Sequence, residues 1–240
     1  MTDQSTTTQP MRIMAIYAHP DDPEFFSGGT LIKWADEGKE IIYVLATSGD
    51  KGSDDLDMTP ERLVQIREGE QRAAAQHAKS DNVIFLRYLD GELVPDLGLR
   101  RALTRVIRQQ KPDIVVTNDP ATRWNMAGSI NHPDHRAIGD AALAAVYPAA
   151  RDRLTFVELW RDEGLEPHKV KQVYLAGTLS PNAKVDITTV LERKIAAISE
   201  HKSQVKDVDA LTKRLRDNSD SELRGDLPVY TESFRVLTLR

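Results

Sequence analysis

The chain has 240 residues, a formal net charge of −5 and no cysteine. This length suits one large domain, the charge gives no electrostatic case for nucleic acid, and the missing cysteine excludes disulfides and thiolate chemistry. Any metal in this chain must therefore be held by His and carboxylate side chains.

The first ten residues, 1–10, are polar and rich in Thr and Gln. This composition predicts a disordered leader ahead of a single domain at 11–240. The leader has no apolar run that could act as a signal peptide, and no segment of the sequence reaches membrane-spanning length. We therefore expect a cytoplasmic protein with no membrane insertion and no nucleic-acid partner.

Strands and helices alternate along the first two thirds of the chain. Short apolar runs predict strands at 11–18, 40–46, 83–86 and 113–117. Helices are predicted at 30–37, 59–79, 97–110 and 133–147, the second with Thr59 and Pro60 as N-cap and first-turn proline. The alternation indicates a Rossmann-like α/β fold, in which one mostly parallel sheet carries helices on both faces.

The last third of the chain has a less regular pattern. It predicts a strand at 172–177, a helix at 188–204, a charged helix or mobile loop at 207–222 and a final strand at 234–239. No internal repeat and no sharp change of composition marks a second domain.

Polar side chains follow the ends of the predicted strands. These residues are His19, Asp21, Asp22, Asp50, Asp90, Asn118 and Asp119. Right-handed crossovers bring the carboxyl ends of parallel strands to one edge of the sheet, where open α/β sheets bind ligands. The sequence therefore predicts a binding site at this edge.

Two short clusters of His and Asp, at 18–22 and 131–135, lie more than a hundred residues apart. Each cluster alone could be a turn or a helix start, in which proline fixes the backbone and aspartate caps the next helix. Two such clusters at the same edge of one sheet favour a functional role. They offer two imidazoles and a carboxylate to a divalent metal and leave a carboxylate and an imidazole for proton transfer, which is what metal-assisted hydrolysis requires.

These residues resemble the signature of the LmbE-like, or PIG-L, family of zinc-dependent N-acetylglucosaminyl de-N-acetylases. Its two segments, Ala-His-Pro-Asp-Asp and His-Pro-Asp-His, stand here at 18–22 and 132–135. Weaker similarities occur at 47–52, 67–75, 89–91 and 194–204, so that the resemblance covers about 11–205. It implies amide hydrolysis of a small N-acetylated sugar, which yields acetate and a free amine. Family members often self-associate, so a homo-oligomer is compatible with the resemblance, although the sequence itself does not reveal the oligomeric state.

The resemblance also implies a role for each residue of the two clusters. Zn²⁺ would be held by His19, Asp22 and His135. Asp21 would be the general base that takes a proton from the attacking water. His132 would steady the tetrahedral oxyanion or protonate the departing amine, with Asp134 orienting it.

Three further residues are candidates for substrate binding. Arg67 either forms an ion pair with Glu70 on its helix or reaches the sugar. Asp50 either binds a sugar hydroxyl or caps its own loop, and Trp124 either stacks on a sugar face or packs on its own domain. Some family members have Tyr where this chain has Ile130, which cannot donate a hydrogen bond to the oxyanion.

Other functions are compatible with the same residues. Two His and one carboxylate also form the facial triad of non-haem iron oxygenases, although such an enzyme would not need Asp21 and His132. A metal-dependent amidase could instead cleave a non-sugar or thiol-conjugate amide. A catalytically retired zinc- or sugar-binding protein is the third alternative. The identity of the substrate is not readable from the sequence.

Overall fold

The computed structural model describes residues 10–124, 128–217, 222–224 and 227–240. Its centre is a seven-stranded sheet with apolar cores on both faces. Residues 1–9 lie outside the described ranges, so the leader at 1–10 stays a prediction. Within the described ranges, no helix is both long enough and apolar enough to cross a membrane.

The chain forms strands near every position where the sequence predicts one. Across the described residues the strands are β1 (Arg12–Tyr17), β2 (Glu40–Thr47), β3 (Val83–Tyr88), β4 (Ile114–Asn118), β5 (Gln172–Ala176), β6 (Ala183–Asp186), β7 (Glu222–Arg224), β8 (Leu227–Val229) and β9 (Thr231–Thr238). β7 and β8 pair only with each other, as a separate antiparallel hairpin.

The spatial order of the main sheet is β3-β2-β1-β4-β5-β9-β6. β1 to β5 run parallel to one another, and β9 runs antiparallel to both β5 and β6. β2 and β3 lie on one side of β1, whereas β4 and β5 lie on the other side. The direction in which the chain adds strands to the sheet therefore reverses between β1 and β4. Such a reversal opens a crevice at the carboxyl ends of the two strands.

Seven α-helices lie in the described residues. They are α1 (Asp22–Asp36), α2 (Pro60–Gln76), α3 (Leu97–Gln110), α4 (Pro133–Ala144), α5 (Val157–Arg161), α6 (Leu191–Ser199) and α7 (Val208–Asp217). A π-helical turn at Ala145–Ala149 follows α4, and a 3₁₀ turn at Thr188–Val190 precedes α6.

The helices cover both faces of the sheet because alternate side chains of each strand point to opposite sides. On β1, Ile13 and Tyr17 enter a core with residues of α1 and α6, whereas Met14 and Ile16 enter a second core with residues of α3 and α4. All four side chains are fully buried. Burial of one such side chain stabilises a fold by about 1.5–3 kcal/mol, so the two cores hold β1 firmly in place.

The structure corrects the predicted start of α1. The helix begins at Asp22, eight residues before the predicted start at Thr30. Pro23 occupies its first turn, and Gly29 lies inside the helix for a packing reason. A Cβ atom at Gly29 would lie 2.7 Å from the Ile187 side chain, so the glycine allows the chain to approach α1 closely.

Several boundaries in the second half also differ from the prediction. The helix predicted to reach residue 147 ends at Ala144, and the helix predicted to reach residue 204 ends at Ser199. The segment left open as helix or loop contains α7. α5, β6 and the β7–β8 hairpin were not predicted, since each is short and is defined by its tertiary partners.

Candidate active site

Three side chains from distant parts of the chain meet at the carboxyl edge of the sheet, beside the reversal point. His19 follows β1, Asp22 begins α1, and His135 lies in the first turn of α4. Their ligand atoms all lie within 4.8 Å of one another. The three residues that the resemblance names as metal ligands are therefore neighbours in the structure.

The distances in this cluster fit a tetrahedral metal site. Asp22 Oδ2 lies 3.3 Å from His19 Nδ1, and Asp22 Oδ1 lies 3.0 Å from His135 Nε2. Ligand atoms around a tetrahedral zinc ion are roughly 3.3 Å apart, because the metal–ligand bonds are about 2.0–2.1 Å long. Three protein ligands are also the number that a catalytic zinc site uses, since the fourth position belongs to water or substrate.

The outer nitrogen of each imidazole has its own partner in the protein. His19 Nε2 lies 3.1 Å from Asp90 Oδ1 and 3.3 Å from Asp134 Oδ2, and His135 Nδ1 lies 3.0 Å from Asn131 Oδ1. An acceptor at the outer nitrogen fixes the N–H there and turns the other nitrogen's lone pair towards a metal. The sequence placed Asp90 at this edge without a role and missed Asn131, although Asn131 stands four residues before His135.

Charges in the site favour a bound cation. Burial opposes the charged form of His19, but the carboxylates of Asp22, Asp134 and Asp90 outweigh it and raise the pKa of His19 to about 12. Burial likewise opposes ionisation of Asp22, yet His135 and His19 hold the pKa of its carboxyl well below the usual range. A divalent ion would replace a proton in this cluster, which is how such sites bind metal.

A second set of potential ligands overlaps the first. His19, His132 and Asp134 also have ligand atoms within 4.8 Å of one another. However, the Asp134 carboxylate already accepts hydrogen bonds from the backbone N–H groups of Gly91 and Leu93. The first set fits a metal better, because the outer nitrogens of both its imidazoles are held by acceptors.

Asp134 contacts two imidazoles of the site. Its carboxylate lies against His19, whereas its contact with His132 is made through the backbone N–H, which donates to His132 Nδ1 over 3.2 Å. Asp134 therefore orients His19 through its carboxylate and contacts His132, the residue that it was expected to orient, through its backbone N–H.

Asp21 has an unusual backbone conformation beside the metal-binding cluster. Its φ angle is 97°, in a region that residues other than glycine rarely adopt. Its backbone N–H donates to Gln71 Oε1 over 3.1 Å, and its Oδ2 lies 3.3 Å from Arg67 Nη2. Burial and the neighbouring Asp22 carboxylate raise the pKa of Asp21 to about 6, against the opposing effect of the Arg67 guanidinium.

Arg67 and Asp50 both contact neighbouring loops at the edge of the site. The buried Arg67 guanidinium donates to the carbonyl oxygens of Pro20 and Gly49 as well as to Asp21, and Glu70 accepts from Ser203. Of the two alternatives for Arg67, the ion pair with Glu70 is therefore not formed. Asp50 Oδ1 accepts from the backbone N–H of Asp90, so it joins two loops at the edge of the site.

A buried series of hydrogen-bonded polar side chains holds Gln71, the residue that accepts the backbone N–H of Asp21. Gln71 Nε2 donates to Glu24 Oε1 over 2.9 Å, and Glu24 Oε2 lies 3.1 Å from His201 Nε2. All three side chains are almost fully buried. His201 therefore contributes to the site indirectly, through Glu24 and Gln71, and is not a metal ligand.

His132 lies at the start of α4, and its outer nitrogen has no hydrogen-bond partner among the residues that the structure describes. Its Nδ1 accepts the Asp134 N–H, so in the neutral ring Nε2 carries the proton. Its ring packs edge-on against His19, with the ring centroids 4.6 Å apart. Partial burial and the charge on His19 lower the pKa of His132.

A cavity of about 380 Å³ adjoins the two imidazoles of α4. Its lining consists of Phe26, Asn118, Asp119, Thr122, Ile130, Asn131, His132, His135, Ala176 and Gly177. At its rim, Trp124 pairs with Ile130 through a single antiparallel bridge. Trp124 is 59% exposed, so it does not pack into its own domain.

Known proteins resemble this chain over most of its length. The family model PIG-L, described as GlcNAc-PI de-N-acetylase, matches residues 14–146. The diacetylchitobiose deacetylase of Thermococcus kodakarensis is 32% identical over 193 residues, which cover 80% of this chain and 70% of that protein. The 1D-myo-inositol 2-acetamido-2-deoxy-alpha-D-glucopyranoside deacetylase of Mycobacteroides abscessus is 27% identical over 237 residues, 81% of each protein.

A solved structure shares the whole architecture. The N,N'-diacetylchitobiose deacetylase from Pyrococcus horikoshii, complexed with its inhibitor MPG, is 30% identical to this chain and aligns with a TM-score of 0.84. The alignment covers 96% of this chain and 85% of the solved one. This match confirms the predicted α/β fold with a mostly parallel sheet.

Proposed function

The chain belongs to the PIG-L family of de-N-acetylases, and on that premise we propose that it is a zinc-dependent hydrolase that cleaves an N-acetyl group from an amino-sugar-type substrate. The observation that carries this proposal is the cluster of His19, Asp22 and His135, in which protein acceptors hold the outer imidazole nitrogens. The products are acetate and a free amine.

Asp21 is the general base of the proposed reaction. When bound by the three ligands, zinc polarises the amide carbonyl and lowers the pKa of a water molecule to about 7. The Asp21 carboxylate takes the proton from the attacking water. Burial and the adjacent Asp22 carboxylate raise the pKa of Asp21 above that of an ordinary aspartate, which makes its carboxylate a better proton acceptor.

His132 stabilises the negative charge that develops on the carbonyl oxygen during the proposed reaction. Because Nδ1 accepts the Asp134 N–H, the Nε2–H of the neutral ring can donate to the oxyanion that develops on the carbonyl. In this chain His132 has this role without help from position 130, where Ile130 offers no hydrogen-bond donor. The departing amine takes the proton that the Asp21 carboxyl received from the water, because the neutral His132 ring has no proton acidic enough to give.

The three residues expected to bind substrate have different roles in this proposal. Trp124, at the rim of the cavity, offers an exposed ring on which a sugar can stack. Arg67 holds Asp21 through its guanidinium and Asp50 ties the neighbouring loop, so both act by positioning the site.

The substrate class is supported by the cavity and by the relatives. A volume of about 380 Å³ lies within the range of small-molecule sites, roughly 300–1,000 Å³. The two sequence relatives are named as deacetylases of diacetylchitobiose and of a 2-acetamido-2-deoxyglucopyranoside of inositol. Both of these compounds carry an N-acetyl group on a sugar ring.

Amine release from a panel of N-acetylated compounds tests the proposal. The panel contains N-acetylglucosamine, diacetylchitobiose, a GlcNAc-inositol conjugate and non-sugar acetamides, and the protein's zinc content is measured in parallel. We expect release of amine from at least one sugar, loss of activity on chelation and recovery when zinc is restored. No turnover by protein with stoichiometric zinc would contradict the proposal, and turnover of non-sugar amides alone would contradict its substrate class.

A further inference from the structure

Asn118, the last residue of β4, has a polar side chain that the proposed reaction does not use. It is only 2% exposed, and its Oδ1 is buried without a hydrogen-bond partner in the described part of the chain. Most buried side-chain polar atoms in folded proteins are hydrogen-bonded, and an unpaired one costs about 1–3 kcal/mol. This carboxamide therefore lacks the partner that its burial requires.

The position of Asn118 relates this unpaired group to the substrate cavity. Asn118 lines the cavity of about 380 Å³ together with Asp119, His132 and His135. Rotation of the carboxamide exchanges its oxygen and nitrogen, so it can offer the cavity an acceptor or a donor. A ligand in the cavity could therefore supply the missing hydrogen bond.

The backbone around Asn118 is held in place from two sides. Asn118 pairs with Ala176 in the β4–β5 ladder, and the N–H of Asp119 donates to the Ala176 carbonyl over 2.9 Å. On the other side, a Cβ atom at Gly139 would lie 2.4 Å from the Asn118 carbonyl oxygen, so α4 packs directly against this strand end. Because the backbone is fixed, the carboxamide stays at this point of the cavity wall, so a ligand needs little reorganisation of the protein to reach it.

Asp119 adds a carboxylate to the same wall. It is 7% exposed, and its Oδ1 accepts the N–H of Ala121 over 2.9 Å. A carboxylate next to a carboxamide matches neighbouring hydroxyl groups, since the carboxylate accepts from one O–H while the carboxamide accepts from or donates to the next. Such neighbouring hydroxyls are a feature of sugar rings and are absent from simple acetamides.

We propose that Asn118, with Asp119 beside it, binds ring hydroxyls of the substrate and makes the enzyme select hydroxylated rings over apolar ones. This inference rests on the proposed deacetylase function, because it assumes that the substrate occupies this cavity. It adds a specificity-determining residue that no part of the proposed reaction requires.

Thr117 provides a matched control within the same strand. Its Oγ1 is also buried without a hydrogen-bond partner among the described residues, but Thr117 is not part of the cavity lining. If the unpaired atom of Asn118 were only a packing defect, removing it should affect ligand binding no more than removing the unpaired atom of Thr117. The substitutions N118L and T117V each remove one such atom and replace it with apolar atoms.

The experiment measures binding of two product-like amines, glucosamine and cyclohexylamine, to zinc-loaded wild type, N118L and T117V by calorimetry. The two ligands share a six-membered ring and an amine, and only glucosamine carries hydroxyls. We expect N118L to weaken glucosamine binding on the order of 10- to 100-fold and to leave cyclohexylamine binding within about twofold. T117V should match the wild type for both ligands.

Three results would overturn the inference: equal weakening of both ligands in N118L, unchanged glucosamine binding in N118L, or a wild type that binds glucosamine no more tightly than cyclohexylamine. If the melting temperature of N118L falls, N118A repeats the comparison with a smaller side chain. Failure of the deacetylase proposal is seen separately, as absence of amine release by the wild type, while the binding comparison still decides the role of Asn118.

Discussion

At the scale of single residues, Asp21 combines a carboxylate with a left-handed backbone. Its φ of 97° costs conformational energy, and the hydrogen bond from its N–H to Gln71 together with the Arg67 contact holds it there. Local strain of this kind is common in active sites, where it aims a side chain at the reacting atoms. The adjacent Asp22 faces the imidazoles, so two consecutive carboxylates have separate roles.

The first prediction separates these two roles. Asp21→Asn removes the proton acceptor but keeps the size of the side chain and a residue type that tolerates positive φ. We expect bound zinc to remain stoichiometric while kcat falls on the order of 10²- to 10⁴-fold, the usual contribution of a general base. In His135→Ala, by contrast, bound zinc should be lost. Full activity of zinc-replete Asp21→Asn would show that Asp21 is not the base.

The second prediction concerns Asn131, whose Oδ1 lies 3.0 Å from His135 Nδ1. Asn131→Ala removes this acceptor, so the imidazole loses its fixed orientation and zinc affinity should fall about 10- to 100-fold. Competition with a zinc-binding dye measures the change. Asn131→Asp keeps an acceptor at the same distance and should retain zinc more tightly than Asn131→Ala. Equal zinc affinity of wild type and Asn131→Ala would exclude this role.

Sequence motifs predicted the ligands but not the residues that orient them. His19, Asp22 and His135 lie in two short sequence motifs that are recognisable from their residues alone. Asp90 reaches His19 only because the loop after β3 approaches the loop after β1, and this approach depends on the tertiary fold. The contact of Asp134 with His19 has the same origin, which is why the sequence associated Asp134 with its neighbour His132.

At the scale of secondary-structure elements, the site depends on how closely α4 packs against β4. Gly139 makes this contact possible, since any side chain there would meet the Asn118 carbonyl oxygen and the Pro120 ring. The helix thereby brings His135 to the same edge as His19. A shift of α4 away from the sheet would move one metal ligand and one wall of the cavity together.

The third prediction tests this packing. Gly139→Ala places a methyl group where the nearest backbone atom is 2.4 Å away, so α4 must shift and the protein should lose about 1–3 kcal/mol of stability. Gly69→Ala, inside α2 where a Cβ meets no atom within 4 Å, is the control and should stabilise by up to about 1 kcal/mol. Denaturant unfolding measures both. Equal stability of the two variants would contradict the close-packing account.

The same reasoning explains which element boundaries the sequence could predict. The bounds of α3 were correct at 97–110, because Asp96 caps its start and its apolar positions repeat along one face. The start of α1 was wrong because Gly28 and Gly29 were interpreted as loop residues. Gly29 admits the Ile187 side chain at close range inside the helix, and a sequence does not reveal which neighbours a helix will have.

At the scale of the whole molecule, the acidic groups around His19 couple metal binding to folding. Asp22, Asp90 and Asp134 come from three separate segments and converge on one imidazole. In the unfolded chain these carboxylates are apart and hydrated, so a cation has no comparable site there. Zinc should therefore bind the folded state preferentially and stabilise it.

The fourth prediction follows from this coupling. Zinc present at 100 times its dissociation constant should stabilise the folded protein by about 2.7 kcal/mol. Adding zinc to protein that a chelator has freed of metal should therefore raise its melting temperature. Differential scanning calorimetry with and without added zinc measures the shift. His135→Ala serves as the control, since it lacks one ligand and should show a much smaller shift. An equal shift in both proteins would place the metal elsewhere.

The global topology was predictable only where the sheet is parallel. β1 to β4 follow the simple alternation of strand and helix, so their order and the shared carboxyl edge follow from general rules. β9 inserts antiparallel between β5 and β6, with partners 45 to 66 residues away along the chain. Such pairing leaves no local periodicity, and the sequence therefore predicted only a possible strand at this position.

Anomalous X-ray diffraction at the zinc edge, on crystals grown with zinc, tests the central claim most directly. The account predicts one strong peak about 2.0–2.2 Å from His19 Nδ1, His135 Nε2 and the Asp22 carboxylate, with a fourth position open to solvent or substrate. A peak bound elsewhere, or a fourth protein side chain closing the coordination, would contradict the proposed hydrolase site.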